Sequence, residues 1–409
     1  MSHIILNEQQ EAIRREVINW YLHSSEQVFQ IAGGAGTGKS VLMHAILDSL
    51  GLNTNEYYAM TYTGAAAIVM RTRGFPTTRS IHSTLYETIE IEESNDKLAA
   101  RFGVKGTHKE FRLCRFIEPV SLFFIDEAYM VPKSMVKDIL SFGIKTIVCG
   151  DSNQLPPVGD DPGFLVSGKV HYLTQIMRQA ENNPIVYLAN RVIQGLPIHQ
   201  GMYGNDVLVC RDVDFIPQML GFADVMLCGT NRTRSIMNTY VRNLAGFTGS
   251  LPQYGERIIC RKNNWDIQLD GIALANGLAG TVVNQPNASS FDKHGDFLIN
   301  FKPDLTNRVL YNLPISYKYF TATPDEKKYM KSNYENRWIT GEFFEFAYAL
   351  TTHLSQGSEY NNVIFMEEYM RPEIMDAIRY VGITRARRKL IYIVKSNKYF
   401  QIPGLEELL

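Results

Sequence analysis

The chain has 409 residues and a mass of 46.5 kDa, which is more than one hydrophobic core usually serves, so two or more domains are expected. Hydrophobic residues make up 45% of the chain and charged residues 20%, values that exclude disordered, collagen-like and coiled-coil proteins. The 41 basic and 42 acidic side chains give a formal net charge of -1, so any affinity for nucleic acid has to come from local residues.

The number of cysteines and the length of the apolar runs indicate the cellular compartment of the protein. The five cysteines are odd in number and scattered, with no CxxC pair, which argues against a disulfide framework or a zinc site and favours a reducing compartment. No apolar run approaches the ~18 residues needed to cross a bilayer. We therefore expect a soluble, cytoplasmic protein without a membrane partner, located in the host cytoplasm if a phage encodes it.

Residues 25–135 alternate between predicted strands and helices. A strand in SEQVFQIA is followed by the loop GGAGTGKS and a helix in VLMHAILDSLG. Two further apolar runs, 120–125 and 146–149, end in polar loops. This alternation predicts a parallel sheet flanked by helices, with the polar loops at the carboxyl ends of its strands, where open α/β sheets bind ligands.

A second α/β set begins near residue 183, with helical and strand patterns that resume after an interruption at 277–340. The interruption holds short runs broken by Gly, Pro and Asn, which suggests a small β barrel or sheet. A charged stretch at 86–111 is interpreted as an insertion in the first domain. The predicted boundaries are therefore 1–85 and 112–182 for the first domain, and 183–276 and 341–409 for the second.

One loop matches the phosphate-binding pattern GxxxxGK[ST] between a predicted strand and a predicted helix, the context that the motif requires. Its residues are Gly33, Gly34, Ala35, Gly36, Thr37, Gly38, Lys39 and Ser40. The backbone N–H groups of such a loop surround phosphate oxygens, and the lysine adds charge at the β- and γ-phosphates. The sequence thus predicts an ATP site, with Ser40 as a ligand of Mg²⁺.

Polar residues follow the next two strands. Asp126 and Glu127 come directly after SLFFI, where Asp126 would hold the Mg²⁺ and Glu127 would accept a proton from the attacking water. Gln154, in the loop GDSNQLPPV, would sense the γ-phosphate or orient the water. An Asp-Glu pair after a strand is by itself a common solvated turn, and the phosphate-binding loop beside it favours the catalytic interpretation.

Ten strings occur in an order and spacing that resemble the superfamily-one DNA helicases, and within them the RecD-like and Dda-type phage enzymes that move 5′ to 3′. The resemblance covers almost the whole chain. The strings are QQEA at Gln9, GGAGTGKS, TYTGAAA at 61–67, RSIHS at 79–83, IDEAYM, GDSNQLPPV, LTQIMRQ at 173–179, GERIICRKNN at 255–264, TTHLSQGSE at 351–359 and YVGITRARR at 380–388.

The resemblance implies an α/β fold of two RecA-like parallel-sheet domains in tandem, with a small insertion in the first and a small SH3-like β insertion in the second. ATP would bind between the domains, with Gln9 reading the adenine. Arg178 and Arg385 match the family's arginine fingers, which stabilise charge on the γ-phosphoryl group. The nucleotide would be contacted from the second domain by Gln356, Gly357 and Glu359.

The resemblance also implies a track for single-stranded DNA that contacts phosphates and stacks on bases, largely without regard to sequence. The matching residues are Thr63, His82, Thr351 and His353, with Asn231, Arg234 and Asn264 as further candidates. Phe102, in the 86–111 insertion, is the candidate strand-separating pin. Tyr62 and Leu354 depart from the family pattern, and Leu354 removes a frequent lysine, which predicts a shallower salt dependence.

The expected function is an ATP-dependent DNA helicase, expected to be a monomer, that moves 5′ to 3′ on single-stranded DNA and unwinds forks or tailed duplexes. Single-strand-binding or replication proteins are candidate partners. Three alternatives stay open: a single-strand translocase or protein-stripping ATPase that unwinds weakly, a nucleotide-dependent switch that clamps DNA without hydrolysis, and a preference for RNA. The pathway, whether replication, recombination or repair, is not readable from these residues.

Overall fold

The computed structural model describes residues 5–93, 106–177, 182–269, 272–286, 290–293, 295–304, 306–332 and 340–396. Two of the predicted functional residues, Phe102 and Arg178, lie outside these ranges. Within them, none of the helices combines the length and the apolar character needed to cross a membrane.

The first domain is a parallel six-stranded sheet. Its strands are β1 (Val28–Gly33), β2 (Tyr57–Thr61), β3 (Arg79–Ser80), β6 (Leu122–Asp126), β7 (Thr146–Gly150) and β8 (Val170–Leu173). They lie in the order β3-β2-β6-β7-β1-β8. Separate apolar cores cover the two faces of the sheet, and for this reason its central strands are continuous apolar runs.

The helices of this domain are α1 (Glu8–His23), α2 (Lys39–Leu50), α3 (Gly64–Thr72), α4 (Ile81–Leu85) and α5 (Lys133–Ser141), with a 3₁₀ turn at Ala128–Met130. Helix α1 starts at a capping box, because Asn7 accepts a hydrogen bond from the Gln10 N–H and Gln10 accepts one from the Asn7 N–H. The predicted insertion contains an antiparallel pair, β4 (Tyr86–Glu93) and β5 (Gly106–Leu113).

The second domain repeats the architecture with a six-stranded sheet ordered β19-β11-β20-β21-β10-β9. Its strands are β9 (Gly201–Tyr203), β10 (Val207–Arg211), β11 (Val225–Cys228), β19 (Ala349–Thr351), β20 (Tyr360–Met366) and β21 (Ala386–Val394). All pair in parallel except β9, which is antiparallel to β10. Its helices are α6 (Pro184–Ile193), α7 (Asn231–Leu244) and α10 (Pro372–Thr384), with 3₁₀ turns at Asp212–Asp214 and Pro217–Phe222.

A smaller antiparallel sheet is inserted in the second domain, in the order β17-β16-β15-β12-β18. Its strands are β12 (Arg257–Cys260), β15 (Ala279–Val282), β16 (Phe297–Pro303), β17 (Leu310–Ile315) and β18 (Phe344–Phe346). The same region of the chain also contains the strand pair β13 (Asn264–Leu269) and β14 (Ile272–Leu274) and the helices α8 (Tyr317–Thr321) and α9 (Pro324–Ser332). Strands β12 and β18 belong to this sheet although they lie outside the predicted 277–340 interruption.

The fold prediction is confirmed at the level of two α/β domains in tandem, each with a parallel sheet and the second with a β insertion. The SH3-like character of that insertion stays a prediction. The string RPEIMDAIRYVGITRARR at 371–388 predicts a helix throughout, and for its last four residues this prediction is wrong, because α10 ends at Thr384 and β21 begins at Ala386. Pairing of Ala386 with Tyr360 of β20 fixes the start of this strand and overrides the helical propensity of the segment.

Candidate functional site

The phosphate-binding loop runs from the end of β1 to the start of α2, as the motif predicts. Gly36 and Gly38 have φ angles of 77° and 78°, a left-handed backbone that favours glycine. Gly33 has no room for a side chain, because an added Cβ would lie 2.6 Å from Thr37 Oγ1. Lys39 Nζ donates to the carbonyl oxygens of Gly33 and Gly34 at 2.6 and 3.0 Å, which holds the ammonium group over the loop.

Two carboxylates stand at the end of β6, beside this loop. Glu127 has a left-handed backbone with φ of 53°, and Gln154 Nε2 donates to its Oε2 at 3.1 Å. Burial, and then the charge of Asp126, raise the pKa of Glu127, although Arg385 and Lys39 act to lower it. A carboxyl with a raised pKa, held by an amide from the next strand end, is suited to accept a proton from water.

Arg385 enters the same site from the second domain. It is the C-cap residue of α10, and only 4% of it is exposed. Its Nη1 donates to the Ser358 carbonyl oxygen at 3.0 Å, while its Nε is buried without a hydrogen-bond partner among the described residues. The guanidinium therefore has a free donor close to the carboxylates and the phosphate-binding loop.

Tyr380, one turn earlier on α10, joins the two domains directly. Its hydroxyl donates to Asp151 Oδ2 at 2.5 Å and accepts a hydrogen bond from the Ala35 N–H at 2.8 Å. Asp151 is the aspartate of the loop that also carries Gln154, and it accepts two further hydrogen bonds from Asn153. One phenol thus connects the phosphate-binding loop, the loop after β7 and the helix that carries Arg385.

A second cross-domain contact borders the site. Arg73, at the C-terminus of α3, donates through Nη2 to Glu359 Oε1 at 2.5 Å. Burial acts against the charge of Arg73, but Glu359, and then Asp126 and Glu127, raise its pKa. Arg73 is therefore a second arginine, beside Arg385, within the electrostatic reach of the two carboxylates.

These residues line one interdomain cavity of about 220 Å³. From the first domain come Gly34, Ala35, Gly36, Gly38, Lys39, Ser40, Arg73, Asp126, Glu127, Asp151 and Gln154, and from the second come Glu359, Tyr380, Thr384 and Arg385. Gln154 Oε1 is also buried without a partner among the described residues. The free acceptor of Gln154 and the free donor of Arg385 fit a water and a phosphate oxygen, and Ser40 with Asp126 would hold Mg²⁺.

Comparison with known proteins agrees with this geometry. The AAA domain family matches residues 5–201, and the UvrD-like helicase C-terminal domain matches residues 346–393. The chain is 26% identical over 378 residues to the ATP-dependent RecD2 DNA helicase of Deinococcus radiodurans, which covers 87% of this chain and 45% of that protein. It is 33% identical over 156 residues to the ATP-dependent DNA helicase PIF1 of Danio rerio. This alignment covers 37% of this chain and 22% of that protein.

The chain is therefore similar to DNA helicases of the Pif1 and RecD2 type. Its fold is that of a Pif1 helicase solved to explain DNA unwinding at forked duplex DNA, with a TM-score of 0.56 and 18% identity, covering 97% of this chain and 92% of that one. The chain spans less than half the length of the first curated relatives that it matches, 37% of an uncharacterized Methanocaldococcus jannaschii protein and 45% of RecD2. The narrower expectation of a phage Dda-type protein stays a prediction.

The glutamine predicted to read adenine is fully engaged within the protein. Gln9 donates to the Tyr172 carbonyl oxygen and Thr174 Oγ1, and it accepts from the N–H groups of Thr174 and Gln175. Its neighbour Gln10 is buried and donates to the Thr37 carbonyl oxygen at 3.2 Å. Gln10 therefore supports the phosphate-binding loop, and the adenine contact of Gln9 stays a prediction.

Of the second-domain residues predicted to contact the nucleotide, Glu359 lines the cavity and the other two join the domains. Gln356 Nε2 donates to the Leu155 carbonyl oxygen at 2.9 Å. Gly357 lies so close to α3 that an added Cβ would be 2.7 Å from Ala66 Cβ. The turn after β19 thus fits against the first domain beside the cavity.

Of the four predicted DNA residues, Thr63, Thr351 and His353 lie near this turn, and His82 lies on α4. Thr63 Oγ1 accepts a hydrogen bond from the Ala66 N–H at 3.2 Å, and an added Cβ on Gly357 would lie 3.2 Å from the same oxygen. Thr351 ends β19 and is buried, while His353 is half-buried. His82 lies between aromatic rings, 5.4 Å from Tyr86. Burial lowers the pKa of both histidines, which favours neutral rings for stacking rather than cationic phosphate contacts.

The three further DNA candidates differ in their surroundings. Asn231 is exposed at the start of α7, and its Oδ1 accepts from Arg234 Nε at 3.3 Å. Arg234 is buried and donates to Glu345 Oε2 at 2.5 Å. Asn264 Nδ2 donates to Glu342 Oε1 at 2.6 Å. Arg234 is therefore held by a carboxylate of the inserted sheet.

Five residues of the cavity were not predicted from sequence, namely Val41, Arg73, Asp151, Tyr380 and Thr384. Tyr380 stands five residues before Arg385 in the string YVGITRARR, so a signal for it was present. Asp151 stands in the string that gave Gln154. Arg73 has no sequence signal, because only the approach of Glu359 from the second domain brings it to the site.

Proposed function

We propose that the chain is an ATP-dependent DNA helicase that translocates 5′ to 3′ on single-stranded DNA and unwinds duplex. One observation carries this proposal: Arg385 and Tyr380 of the second domain share a cavity with Lys39, Glu127 and Gln154 of the first. A triphosphate in this cavity would be contacted from both domains. Its hydrolysis would therefore change the attraction between the domains, which is the coupling a motor requires.

The hydrolytic roles follow from the contacts. Gln154 donates to Glu127 through its amide N–H, and its amide oxygen has no partner among the described residues, so the pair can place a water for attack on the γ-phosphate. Bound Mg²⁺ would neutralise charge on the phosphate oxygens. Arg385 would stabilise charge on the γ-phosphoryl group, as a planar cation with an unused Nε–H donor.

A short segment of the second domain connects the ATP cavity to the candidate DNA residues. The turn that carries Gln356 and Gly357 follows directly on Thr351 and His353, and it packs against the Thr63 segment of the first domain. A change at the cavity would therefore move candidate DNA residues of one domain against those of the other. The named activity of RecD2 and the fork unwinding described for a Pif1 structure support DNA as the substrate, and the direction of travel rests on the resemblance to RecD and Dda-type enzymes.

The proposal is tested with ATP hydrolysis in the presence and absence of oligo(dT), and with two forks that carry either a 5′ or a 3′ single-stranded tail. We expect oligo(dT) to stimulate hydrolysis and the 5′-tailed substrate alone to be unwound. Lys39→Ala and Glu127→Gln should abolish hydrolysis. Lys133→Ala, which removes an exposed lysine at the start of α5, is the matched control and should leave hydrolysis unchanged.

The outcomes separate the alternatives. Hydrolysis that survives Lys39→Ala or Glu127→Gln would overturn the site assignment. Unwinding of the 3′-tailed substrate alone would overturn the polarity. Stimulated hydrolysis with removal of a protein block from single-stranded DNA, but without unwinding of either substrate, would identify a translocase.

A further inference from the structure

Four cations surround one carboxylate where the inserted sheet meets the second domain. Glu345 of β18 lies 2.5 Å from Arg234 Nη1 of α7 and 3.0 Å from Arg261 Nε, which follows β12. Lys327 and Lys331 of α9 act electrostatically on the same carboxylate. We call these five residues the cation cluster.

Both lysines contact the aromatic ring of Tyr319. Tyr319 is buried, stacks on Phe343 with ring centres 4.0 Å apart, and donates to Glu345 Oε1 at 3.0 Å. Lys327 Nζ and Lys331 Nζ lie 5.7 and 5.9 Å from the centre of the Tyr319 ring. The lysines therefore lie over the ring as a pair, one helical turn apart on α9.

Among the described residues, four cations share this one carboxylate, so the charges of the cluster do not balance. Although burial acts to raise the pKa of Glu345, the charges of Arg261, Arg234 and the two lysines lower it to about 2. Burial, and then the charge of Arg261, lower the pKa of Lys331 to about 8. Arg261 Nη1 is buried without a hydrogen-bond acceptor among the described residues. An additional anion would relieve this surplus and supply the missing acceptor.

The cluster adjoins the predicted DNA track. Arg234 Nε donates to Oδ1 of Asn231, a candidate DNA residue that is exposed at the start of α7. Glu345 precedes β19, which ends at the candidate Thr351. The ammonium group of Lys331 lies over the Tyr319 ring while other parts of the residue are exposed, so the cluster reaches solvent on the side of α9.

We propose that the cation cluster binds a backbone phosphate of single-stranded DNA through Arg261, Lys327 and Lys331. This inference rests on the proposed function, because it extends the same DNA track to the inserted sheet. A phosphate oxygen is the acceptor that Arg261 Nη1 lacks, and lysine ammonium groups bind phosphate as point charges. The contact is to the backbone, so it is independent of base sequence.

The test is the salt dependence of binding to fluorescent oligo(dT), measured by anisotropy without ATP. The slope of log K against log salt is about -0.7 for each neutralised phosphate of a single strand, so loss of this one phosphate contact should lower its magnitude by about 0.7. We expect this change in Lys327→Ala/Lys331→Ala, with affinity at low salt reduced about tenfold. Lys327→Arg/Lys331→Arg, which keeps both charges, should retain the slope.

The matched control is Lys318→Ala/Lys328→Ala, which removes two exposed lysines from α8 and α9 outside the cluster. It should leave the slope near that of the unmodified chain. A slope in Lys327→Ala/Lys331→Ala equal to that of this control overturns the inference. If the unmodified chain itself does not bind oligo(dT), the proposed function fails as well.

A free phosphate ion could use the same chemistry, so thermal unfolding is followed in sodium phosphate and in sodium chloride at equal ionic strength. Stabilisation by phosphate that is lost in Lys327→Ala/Lys331→Ala, together with an unchanged DNA slope, would assign the cluster to a free anion and overturn the DNA contact. Loss of the DNA slope supports the proposal whether or not phosphate stabilises the chain.

Discussion

The hydroxyl of Tyr380 donates to Oδ2 of Asp151 at 2.5 Å, and this hydrogen bond crosses from the second domain to the first. Both residues are almost completely buried, with 1% and 2% of their surfaces exposed. Because Arg385 caps the same helix that carries Tyr380, the bond fixes the position of the arginine relative to the phosphate-binding loop. Tyr380 is therefore a positioning residue of the site.

Tyr380→Phe removes this hydrogen bond while keeping the ring. A hydrogen bond to a charged group is worth about 1.5–3 kcal/mol, so we expect kcat for ATP hydrolysis to fall about 10- to 100-fold. The KM for ATP should change less, because Lys39 and the loop stay in place. Steady-state ATP hydrolysis with saturating oligo(dT) measures both constants.

The control for this change is Tyr348→Phe. Tyr348 also donates to a buried carboxylate, Glu256 Oε1 at 3.1 Å, and it does not line the ATP cavity. We expect Tyr348→Phe to retain kcat. Equal losses of kcat in the two variants would mean that Tyr380 acts through general stability and does not position Arg385.

Arg73→Ala tests the second arginine that lines the cavity. Arg73 contacts Glu359 and lies within the electrostatic reach of Asp126 and Glu127, so its removal takes a cation from the place where phosphates would gather. We expect the KM for ATP to rise roughly tenfold, equivalent to about 1.4 kcal/mol. The measurement is ATP hydrolysis over a range of ATP concentrations.

Arg387→Ala is the matched control, because Arg387 Nε lies 3.8 Å from Oε2 of the same Glu359 but its side chain is 60% exposed and does not line the cavity. Exposed pairs of this kind contribute little. The KM should change less than twofold. A similar rise in KM for both variants would show that KM depends on the ion pairing of Glu359, and not on the position of Arg73 in the cavity.

Much of the first domain's site was predictable because its parallel strands carry their polar loops at one edge of the sheet. Asp126, Glu127 and Gln154 follow directly on such strands, and the phosphate-binding loop has a fixed glycine pattern. The contacts of Tyr380 and Arg73 were not predictable, because they depend on how two domains meet. The inserted sheet was underestimated for a related reason, since β12 pairs with strands far along the chain.

The buried charge of Glu127 predicts a pH-dependent effect on stability. Burial and the charge of Asp126 raise the pKa of this carboxyl. A raised folded-state pKa gives a contribution to stability that is fully present below the unfolded pKa of about 4.3 and is lost as pH rises through the folded pKa. We therefore expect Glu127→Gln, which resembles the neutral form, to melt at a higher temperature than the unmodified chain at pH 7.

The difference should shrink as the pH is lowered to about 4, where both chains carry a neutral group at this position. Thermal unfolding across this pH range measures it. Glu118→Gln, the same substitution at an exposed carboxylate, should show no comparable gain at pH 7. A lower melting temperature for Glu127→Gln at pH 7 would contradict the raised pKa.

Gly357→Ala tests whether close approach of the domains is needed for hydrolysis. Gly357 has φ of +75°, and an added Cβ would lie 2.7 Å from Ala66 Cβ across the domain boundary. Gly255→Ala is its control, because Gly255 has φ of +87° with no atom within 4 Å of an added Cβ. Both substitutions should cost about 1–2 kcal/mol of backbone strain, which appears as similar falls in melting temperature.

The two variants should differ in catalysis, because only Gly357→Ala forces the turn after β19 away from α3. We expect kcat/KM for ATP, measured with oligo(dT), to fall more than tenfold in Gly357→Ala and less than twofold in Gly255→Ala. Separation of the domains by even part of a methyl group displaces Arg385 from the carboxylates, and misplacement of about 1 Å can cost about 100-fold in rate. Equal activity in the two variants would mean that hydrolysis does not depend on this contact.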